Sequence, residues 1–416
     1  MDKSEYTINI VGAGISGLVA ALVMEKEGFS TTIYEATDRA GGRVKTDIYK
    51  GFQLDHGFQV LLDAYPMAKK YLDMDSLELQ KFLPGAVIFK DGKNRTLGDA
   101  LRNVSLLIPT LFSNIGTISD KFKILKLNNE LKAMSLEQIF ASKETSTFTY
   151  LKNRGFSDDI ISAFFKPFFS GIFLEPSLET SCRMFQFVYK MFGEGLAVLP
   201  KAGIGAIAEQ LASKLKRSNI ILNTPVQKIL EGKLLLADGK EVPSHYTILA
   251  ADASHLIGDT KMETVTWKRC ETFYFTCPKR IISRPLIGLI ADKDALINNL
   301  FFHTSLEMAH RGEGELLSVT LVKEHQLSDK DVLDRIVLEL EQYCGITELT
   351  FLKRYQIKKA LPQLTNLQYS MTPQQTQWSP SIYLAGDHHL YGSLNAAMTT
   401  GEMAAKAILE HMKITA

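Results

Sequence analysis

Cysteine, tryptophan and long apolar runs are all scarce in this chain. Its four cysteines, Cys182, Cys270, Cys277 and Cys344, are scattered among 416 residues without metal-ligand spacing. We therefore expect no metal site, no disulfide framework and a reducing compartment, the cytoplasm. No run of about 18 apolar residues is present, which argues against a membrane-spanning helix.

An excess of charge of one sign is also lacking. The 47 basic and 46 acidic residues leave a formal net charge of +1, so we expect no nucleic-acid partner. The length fits about two domains, and 45% hydrophobic residues are ordinary for a globular protein. Because the first apolar run, at 8–11, already belongs to a folding motif, we expect no secretory signal.

The stretch 7–35 is the most informative part of the chain. A β-branched strand leads into Gly12, Gly14 and Gly17, which are spaced as G-x-G-x-x-G, and a helix and a second strand ending at Glu35 follow. Gly12 allows a tight turn, Gly14 lets a pyrophosphate approach the backbone, and Gly17 permits close helix–strand packing. An acidic residue at the position of Glu35 can bind a ribose hydroxyl. This succession of strand, glycine motif, helix and second strand predicts a dinucleotide-binding βαβ unit.

Three further segments carry chemistry. Gly41-Gly42-Arg43 is a flexible turn that presents a guanidinium, which suits a pyrophosphate. Residues 52–62 read as one strand containing Gly57, where another group can approach closely. Near the other end, strand 381–385 runs into Gly386-Asp387, and a helix over 395–412 follows, which places a carboxylate at a sheet edge where ligands bind.

The intervening residues differ in composition. Residues 64–192 are mostly helical in pattern and rich in phenylalanine, which predicts core packing and, in part, the wall of an apolar pocket. Residues 104–127 are apolar at helical spacing with few acids. They fit a pair of core helices, a helical cap over a cavity, or a patch in peripheral contact with a membrane, and the core pair is the commonest case.

Taken together, these motifs resemble the flavin-containing amine oxidase superfamily, which includes amine and protoporphyrinogen oxidases, carotenoid desaturases and squalene-associated FAD enzymes. The resemblance implies an α/β fold: a Rossmann-like FAD/NAD(P)-binding domain of the FAD-dependent amine oxidase type with an α+β substrate domain. The FAD-binding domain would comprise residues 1–63, 196–255 and 376–416. The substrate domain, with a helical cap, would comprise 64–195 and 256–375.

The resemblance also implies a non-covalent FAD cofactor and its contacts. No Ser-Gly-Gly-Cys-Tyr stretch for covalent attachment of a flavin is present. The implied cofactor-binding residues are Gly12, Gly14, Ser16, Gly17, Glu35, Ala36, Arg39, Gly42, Arg43, Gly57, Phe58, Gln59, Val226, Ala250, Gly386, Asp387, Asn395, Ala396 and Met398.

Within the superfamily, the stretch LDHGFQVLLDAYP most resembles squalene-associated desaturases and hydroxysqualene dehydroxylases. The leading hypothesis is an FAD-dependent oxidoreductase that moves a hydride from a small hydrophobic substrate, an isoprenoid or polyene, to flavin N5. The electron acceptor is left open between O2, a quinone and another compound. An amine or protoporphyrinogen oxidase using O2 is the alternative, and a double-bond isomerase of lipids is the second. A protein that works at the inner face of a membrane is compatible with the leading hypothesis.

Five polar residues are candidates for a place beside the flavin. Histidine titrates near neutrality and suits a general base, although each histidine alone is better explained as a loop residue without a catalytic role. The candidates are His56, Gln59, His388, His389 and Tyr391.

Overall fold

The computed structural model describes residues 3–98, 115–252, 254–258 and 265–415, apart from the side chains of Ser254, Ile414 and Thr415. The strands are β1 (Ile8–Val11), β2 (Thr31–Tyr34), β3 (Thr46–Tyr49), β4 (Phe52–Asp55), β5 (Leu61–Leu62), β6 (Gln80–Lys81), β7 (Gly85–Lys90), β8 (Lys93–Gly98), β9 (Ala197–Leu199), β10 (Asn219–Ile221), β11 (Val226–Leu230), β12 (Lys233–Leu236), β13 (Glu241–Pro243), β14 (Tyr246–Leu249), β15 (Trp267–Cys277), β16 (Ile287–Ile290), β17 (Ile297–Phe302), β18 (Glu315–Leu321), β19 (Thr350–Pro362) and β20 (Ile382–Leu384).

Helices alternate with these strands and also form a layer of their own between β8 and β9. They are α1 (Ile15–Lys26), α2 (Pro66–Tyr71), α3 (Ile118–Ala133), α4 (Leu136–Phe140), α5 (Thr147–Asn153), α6 (Asp158–Ile160), a π-helical turn (Ile161–Phe165) leading into α7 (Lys166–Phe173), α8 (Cys182–Glu194), α9 (Ala206–Ser213), α10 (Asp329–Cys344) and α11 (Leu394–Thr415). Short 3₁₀ turns cover Lys3–Glu5, Ser254–Ile257, His303–Ser305, Pro373–Thr376 and Asp387–His389.

A five-stranded parallel sheet contains the dinucleotide motif. Its strand order is β10-β2-β1-β14-β20, so it draws on three separate parts of the chain. β1 is buried along its whole length, which agrees with its apolar, β-branched sequence. α11 crosses α1 closely, since a Cβ on Gly401 would lie 2.2 Å from the carbonyl oxygen of Ser16. The C-terminal helix therefore packs on the helix of the motif.

A seven-stranded mixed sheet forms the second large layer, in the order β19-β15-β18-β17-β16-β7-β8. The hairpin of β7 and β8 joins it through a parallel pairing of β7 with β16. Residues of α3, the π-helical turn, α7 and α8 line a cavity, and the helices α3 to α8 all contribute to a hydrophobic core rich in phenylalanine. These two sheets establish the α/β fold predicted from the sequence.

The prediction of one strand over residues 52–62 was wrong. β4 ends at Asp55, and β5 is only the pair Leu61–Leu62. Gly57 has φ +93°, where the chain turns away from strand geometry, and a Cβ there would lie 2.9 Å from Cδ1 of Ile357. The break leaves residues 56–60 as a loop that lines the cavity.

The apolar segment 104–127 is described only in part. Residues 104–114 lie outside the described residues, and 118–127 belong to α3. A search of the described helices finds none with the length and apolar character to cross a membrane.

Candidate active site

The glycines of the dinucleotide motif differ in their surroundings. Gly12 has φ +103°, and a Cβ on it would lie 2.9 Å from the carbonyl oxygen of Ala250. A Cβ on Gly17 would lie 2.1 Å from the carbonyl oxygen of Gly12, whereas a Cβ on Gly14 would meet no atom within 4 Å. Gly12 and Gly17 thus allow close packing, and the surroundings of Gly14 leave room for a ligand.

The start of α1 opens on the same space. Gly14 is its N-cap, and among the described residues no side chain caps this end. The turn at 41–43 is held beside it, because the Gly41 amide donates to the carbonyl oxygen of Ala13 at 2.9 Å. Free amide groups at a helix start form an anion-binding site, so this corner fits a pyrophosphate.

Three charged side chains line the cavity at this corner. The Glu35 carboxylate accepts hydrogen bonds from the amides of Ala13 at 2.8 Å and Thr37 at 2.9 Å. Arg43 forms an ion pair with the buried Asp387 from the far end of the chain. The guanidinium also lies 4.9 Å from the centre of the Trp267 ring, which fixes its orientation.

Arg39, which is one of the implied cofactor-binding residues, contacts a carboxylate of the protein in this structure. It donates to Asp47 at 2.5 Å and to the carbonyl oxygen of Thr46 at 3.1 Å. Although burial raises the pKa of Asp47, hydrogen bonds from Arg39, Tyr355 and other donors hold that pKa well below its usual range. Asp47 therefore stays charged and joins β3 to β19 through Tyr355 and Lys353.

The candidate catalytic residues occupy different environments. His56 lies 3.0 Å from Asp47, and burial lowers the pKa of His56 more than this carboxylate raises it. Burial also lowers the pKa of His388, and it lowers the pKa of His389 to about 3. All three imidazoles are thus biased toward the neutral form. Gln59 donates to the carbonyl oxygens of Arg43 at 3.0 Å and His56 at 2.9 Å, which positions the cavity loop.

Tyr391 is buried and raised in pKa by that burial, so its phenol stays protonated. Its hydroxyl accepts a hydrogen bond from Asn395 at 2.7 Å, and its ring stacks on Tyr369 with centroids 6.2 Å apart. A carbon chain between two rings needs about 7 to 8 Å, because each contact takes about 3.5 to 4 Å. The two tyrosines therefore form no cage for a substrate.

Most of the predicted site residues lie on one cavity of about 1860 Å³. The predicted residues that line it are Gly12, Gly14, Ser16, Glu35, Gly42, Arg43, His56, Gly57, Phe58, Gln59, Ala250, Gly386, Asp387, His388 and Tyr391. The structure does not bring the others to its lining: Gly17, Ala36, Arg39, Val226, His389, Asn395, Ala396 and Met398. Ala396 and Met398 are fully buried in α11, one residue either side of the lining residue Ala397.

Another part of the cavity lining is aromatic. We call Phe164, Phe168, Phe169, Phe173 and Phe192 the aromatic wall; these residues come from the π-helical turn, α7 and α8. Their rings contact one another, as in the pair Phe168–Phe192 with centroids 5.5 Å apart. Small-molecule pockets usually measure about 300 to 1000 Å³. The cavity therefore has room for a dinucleotide and a second, apolar ligand.

Two residues at the start of β15 were missed from the sequence. Trp267 lies between Arg43 and His388, and the neighbouring Lys268 lines the cavity. No local motif marks them, because they reach the site through pairing of β15 with Leu361 and Pro362 of β19. Only a correct prediction of this long-range register could have found them.

The description "Flavin containing amine oxidoreductase" belongs to a family model that matches residues 15–409. The chain belongs to this family. Putrescine oxidase has the same fold, with a TM-score of 0.69 and 18% identity over 97% of this chain and 99% of that one. Cyclohexylamine oxidase from Brevibacterium oxydans is similar at a TM-score of 0.68 and 15% identity, over 98% and 99% of the two chains. The fold is therefore that of the FAD-dependent amine oxidases.

Sequence relatives within the flavin amine oxidoreductases have diverse names. Protoporphyrinogen oxidase 2 of Arabidopsis thaliana is 27% identical over 53% of this chain and 42% of that protein. The 4,4'-diapolycopen-4-al dehydrogenase of Metabacillus indicus is 24% identical over 65% and 62% of the two chains. The L-amino-acid oxidase of Trimeresurus stejnegeri is 31% identical over 35% of this chain and 30% of its own length. The chain thus spans less than half of the plant protein and of the L-amino-acid oxidase.

Membership of the flavin amine oxidoreductase family makes the chain a flavin-dependent oxidoreductase. The corner formed by Gly14, Gly42 and Arg43 fits the phosphates of a flavin dinucleotide, since it offers open space, free amides and a guanidinium. Among the described residues, no cluster of three or more His, Cys, Asp or Glu side chains could hold a metal ion.

Proposed function

We propose that this protein is an FAD-dependent oxidoreductase that oxidises or desaturates a hydrophobic substrate, an isoprenoid or polyene. The observation that carries the proposal is the aromatic wall, which lines the same cavity as the corner formed by Gly14, Gly42 and Arg43. A long apolar molecule gains free energy from burial in proportion to its area, and phenylalanine rings supply that surface. The similarity to a diapolycopenal dehydrogenase supports the same substrate class.

The cofactor in this proposal is FAD held without a covalent bond. Cys270 is the cysteine on the cavity lining, and burial raises its pKa to about 12. Because the thiolate is the reactive form of cysteine, this side chain is a poor nucleophile for attachment to a flavin. The amides at the start of α1 and Arg43 would bind the pyrophosphate, while Glu35 would bind the ribose.

When bound, the flavin supplies the capacity to accept a hydride from carbon. The residues of this chain orient the substrate, exclude water and hold the charges around it. His56 and His388 are biased toward the neutral form, so either could accept a proton that leaves the substrate. The aromatic wall keeps the reacting carbon dry and close to the cofactor.

Anaerobic reduction of the purified, FAD-loaded protein tests this function. We expect loss of flavin absorbance at 450 nm with a polyene such as phytoene dispersed in detergent. We expect no reduction by putrescine, cyclohexylamine or protoporphyrinogen IX. Reduction by one of these three and not by phytoene would contradict the proposal. Re-oxidation by O2 or by a quinone then identifies the electron acceptor.

An amine or protoporphyrinogen oxidase that uses O2 is the alternative, supported by the names of relatives and structural neighbours. The ring centroids of Tyr391 and Tyr369 lie 6.2 Å apart, which leaves no room for an amine between these two rings and weighs against an amine substrate. A flavin-dependent double-bond isomerase of lipids is the second alternative. It predicts a product of unchanged mass with no consumption of an electron acceptor.

Peripheral contact with the inner face of a membrane is part of the proposed function. On α3, Ile118, Phe122 and Leu125 are 74%, 68% and 40% exposed and lie on one helical face at i, i+4 and i+7. Lys126 flanks this stripe, and its side chain is 76% exposed. Because Leu125 also lines the cavity, a bilayer with anionic lipids at this face would deliver an apolar substrate to the opening.

Sedimentation with phosphatidylglycerol-containing vesicles tests this contact. We expect Phe122→Ser to reduce the bound fraction at least fivefold, since the ring would no longer enter the lipid. The matched control is Leu338→Ser on α10, which is also exposed, at 53%, and lies away from the cavity. Equal binding of both variants, or no binding of the unchanged protein, would contradict the contact.

A further inference from the structure

Lys268 lies on the wall of the cavity, and among the described residues it forms no ion pair. Its side chain is half-buried and donates one hydrogen bond, at 2.9 Å, to the hydroxyl oxygen of Thr180. An ammonium group has three N–H donors, so two remain without protein acceptors in the described part of the chain. No carboxylate oxygen of the described residues lies within 4.0 Å of its Nζ.

Three other basic groups on the cavity lining are in a different state. Arg269 forms an ion pair with Glu324, and Lys359 forms one with Asp252. Lys358 is exposed to solvent. A charge withdrawn from water without a partner is costly, and proteins supply a partner or accept one from a ligand.

The surroundings of Lys268 hold the ammonium in place and leave it available. The Thr180 hydroxyl, which accepts the hydrogen bond from Lys268, donates its own hydrogen to Glu175 at 3.1 Å. The Glu175 carboxylate is occupied in turn by the amides of Ser177 and Thr180. Burial lowers the pKa of Lys268 more than the charge of Glu175 raises it, which is the signature of an incompletely compensated cation.

Lys268 lies next in sequence to a residue that contacts the corner formed by Gly14, Gly42 and Arg43. It follows Trp267, whose ring contacts Arg43 and His388, and it pairs with Leu361 of β19. We propose that Lys268 binds a carboxylate at one end of an otherwise apolar substrate, so that the chain beyond it extends along the aromatic wall. This inference rests on the proposed function and narrows its substrate class to apolar chains that end in an acid.

Binding of two matched isoprenoid polyenes tests the inference. The FAD-loaded protein is titrated with all-trans-retinoic acid and with all-trans-retinol, which differ in the end group, by following the flavin absorbance or the heat of binding. We expect the acid to bind about tenfold tighter or more, because a hydrogen-bonded ion pair replaces a neutral contact. In Lys268→Met the acid and the alcohol should bind with about equal Kd values, and the Kd for retinol should change less than about twofold from that of the unchanged protein. Lys268→Arg should retain most of it.

A purely structural role for Lys268, as an anchor for the loop at 175–181, makes a different prediction. Thr180→Val removes the anchor but keeps the ammonium, so it should lower the melting temperature while leaving the preference for the acid intact. Equal loss of the preference in Thr180→Val and Lys268→Met would overturn the inference. The comparison of retinoic acid with retinol on the unchanged protein already tests the inference without any variant.

The outcomes separate this inference from the function on which it rests. Equal affinity of the unchanged protein for both polyenes would remove the role of Lys268 and leave the apolar-substrate function standing. Binding of neither polyene would contradict the apolar-substrate function, and the inference would fall with it. A preference for the acid that persists in a folded Lys268→Met variant would assign the carboxylate to another cation and overturn the inference.

Discussion

One part of the cavity lining is formed by Gly12, Gly14, Gly41 and Gly42, which present only backbone atoms; another part consists of phenylalanine rings. The first part depends on what glycine lacks, since a Cβ at Gly12 or Gly17 would collide with neighbouring backbone. The second part depends on what large side chains supply. A backbone site accepts one kind of cofactor in many proteins, whereas a wall of side chains can change its ligand by substitution.

The largest effect is expected in the glycine motif, at Gly17. Gly17→Ala should lower the free energy of unfolding by more than about 4 kcal/mol, because its Cβ would lie 2.1 Å from the carbonyl oxygen of Gly12. The measurement is chemical denaturation of the purified variant, or its soluble yield where it does not fold.

Gly14→Ala is the matched control for this change. The new methyl group would meet no protein atom within 4 Å, so the melting temperature without cofactor should stay within about 2 °C of the original value. FAD affinity should nevertheless fall at least about tenfold, since the methyl group enters the space for the phosphates. Unchanged FAD affinity would show that the dinucleotide binds elsewhere.

Phe169→Ala is the corresponding change in the aromatic wall. Phe169 is 1% exposed, and its ring centroid lies 4.7 Å from that of Phe185. Removal of the ring should cost about 3 to 5 kcal/mol of unfolding free energy through lost burial and a cavity. The flavin content of the folded fraction should be unchanged. Loss of bound flavin from the folded variant would show that the aromatic residues also contribute to cofactor binding.

A buried carboxyl beneath the cavity loop predicts a pH dependence. Asp55 accepts hydrogen bonds from Thr46 at 2.6 Å and from the amide of Ile204 at 3.0 Å, and burial raises its pKa to about 6. The carboxyl group loses its proton near pH 4 in the unfolded chain and near pH 6 in the folded protein. The free energy of unfolding should therefore decrease as the pH rises from about 4 to about 6, and it should level off at higher pH. In Asp55→Asn this decline, up to about 3 kcal/mol, should be absent. The free energy of unfolding of both proteins is measured by chemical denaturation at pH 4.5 and 7.5. An equal change between the two pH values in both proteins would contradict the raised pKa of Asp55.

The smallest effect is expected at Tyr391. Tyr391→Phe removes the acceptor for Asn395 and should cost about 1 kcal/mol of unfolding free energy. If the role of this hydroxyl is structural, the rate of flavin reduction should stay within about twofold. A decrease of about a hundredfold would instead make Tyr391 a catalytic residue.

The two parts of the lining also differ in how far they could be predicted from the sequence. The packing roles of Gly12 and Gly17 and the open surroundings of Gly14 follow from the local spacing, because turn, helix and strand are adjacent in the chain. The family resemblance implied a cofactor contact for Arg39, whereas in the structure its guanidinium binds Asp47. A short side-chain contact of this kind leaves no periodic signal.

Contacts between distant strands were harder to foresee. Gly57 lies against Ile357 from β19, and the approach of Trp267 to Arg43 depends on the register of β15. Neither partner lies within 200 positions of the residue it meets, so local patterns carry no information about them. The composition still predicted an apolar wall, because that requires only many phenylalanines and not their pairing.

The strand order of the parallel sheet has a consequence for synthesis of the chain. β1, which carries the first glycines, lies beside β14, and β14 is completed on its other side only by β20 at residues 382–384. The ion pair between Arg43 and Asp387 likewise joins residues separated by 344 positions. During translation, the nascent motif at 7–35 must wait until residues 382–384 have been synthesised before its sheet closes. Loading of the cofactor is therefore expected after residues 382–415 have left the ribosome, when all parts of the site can meet.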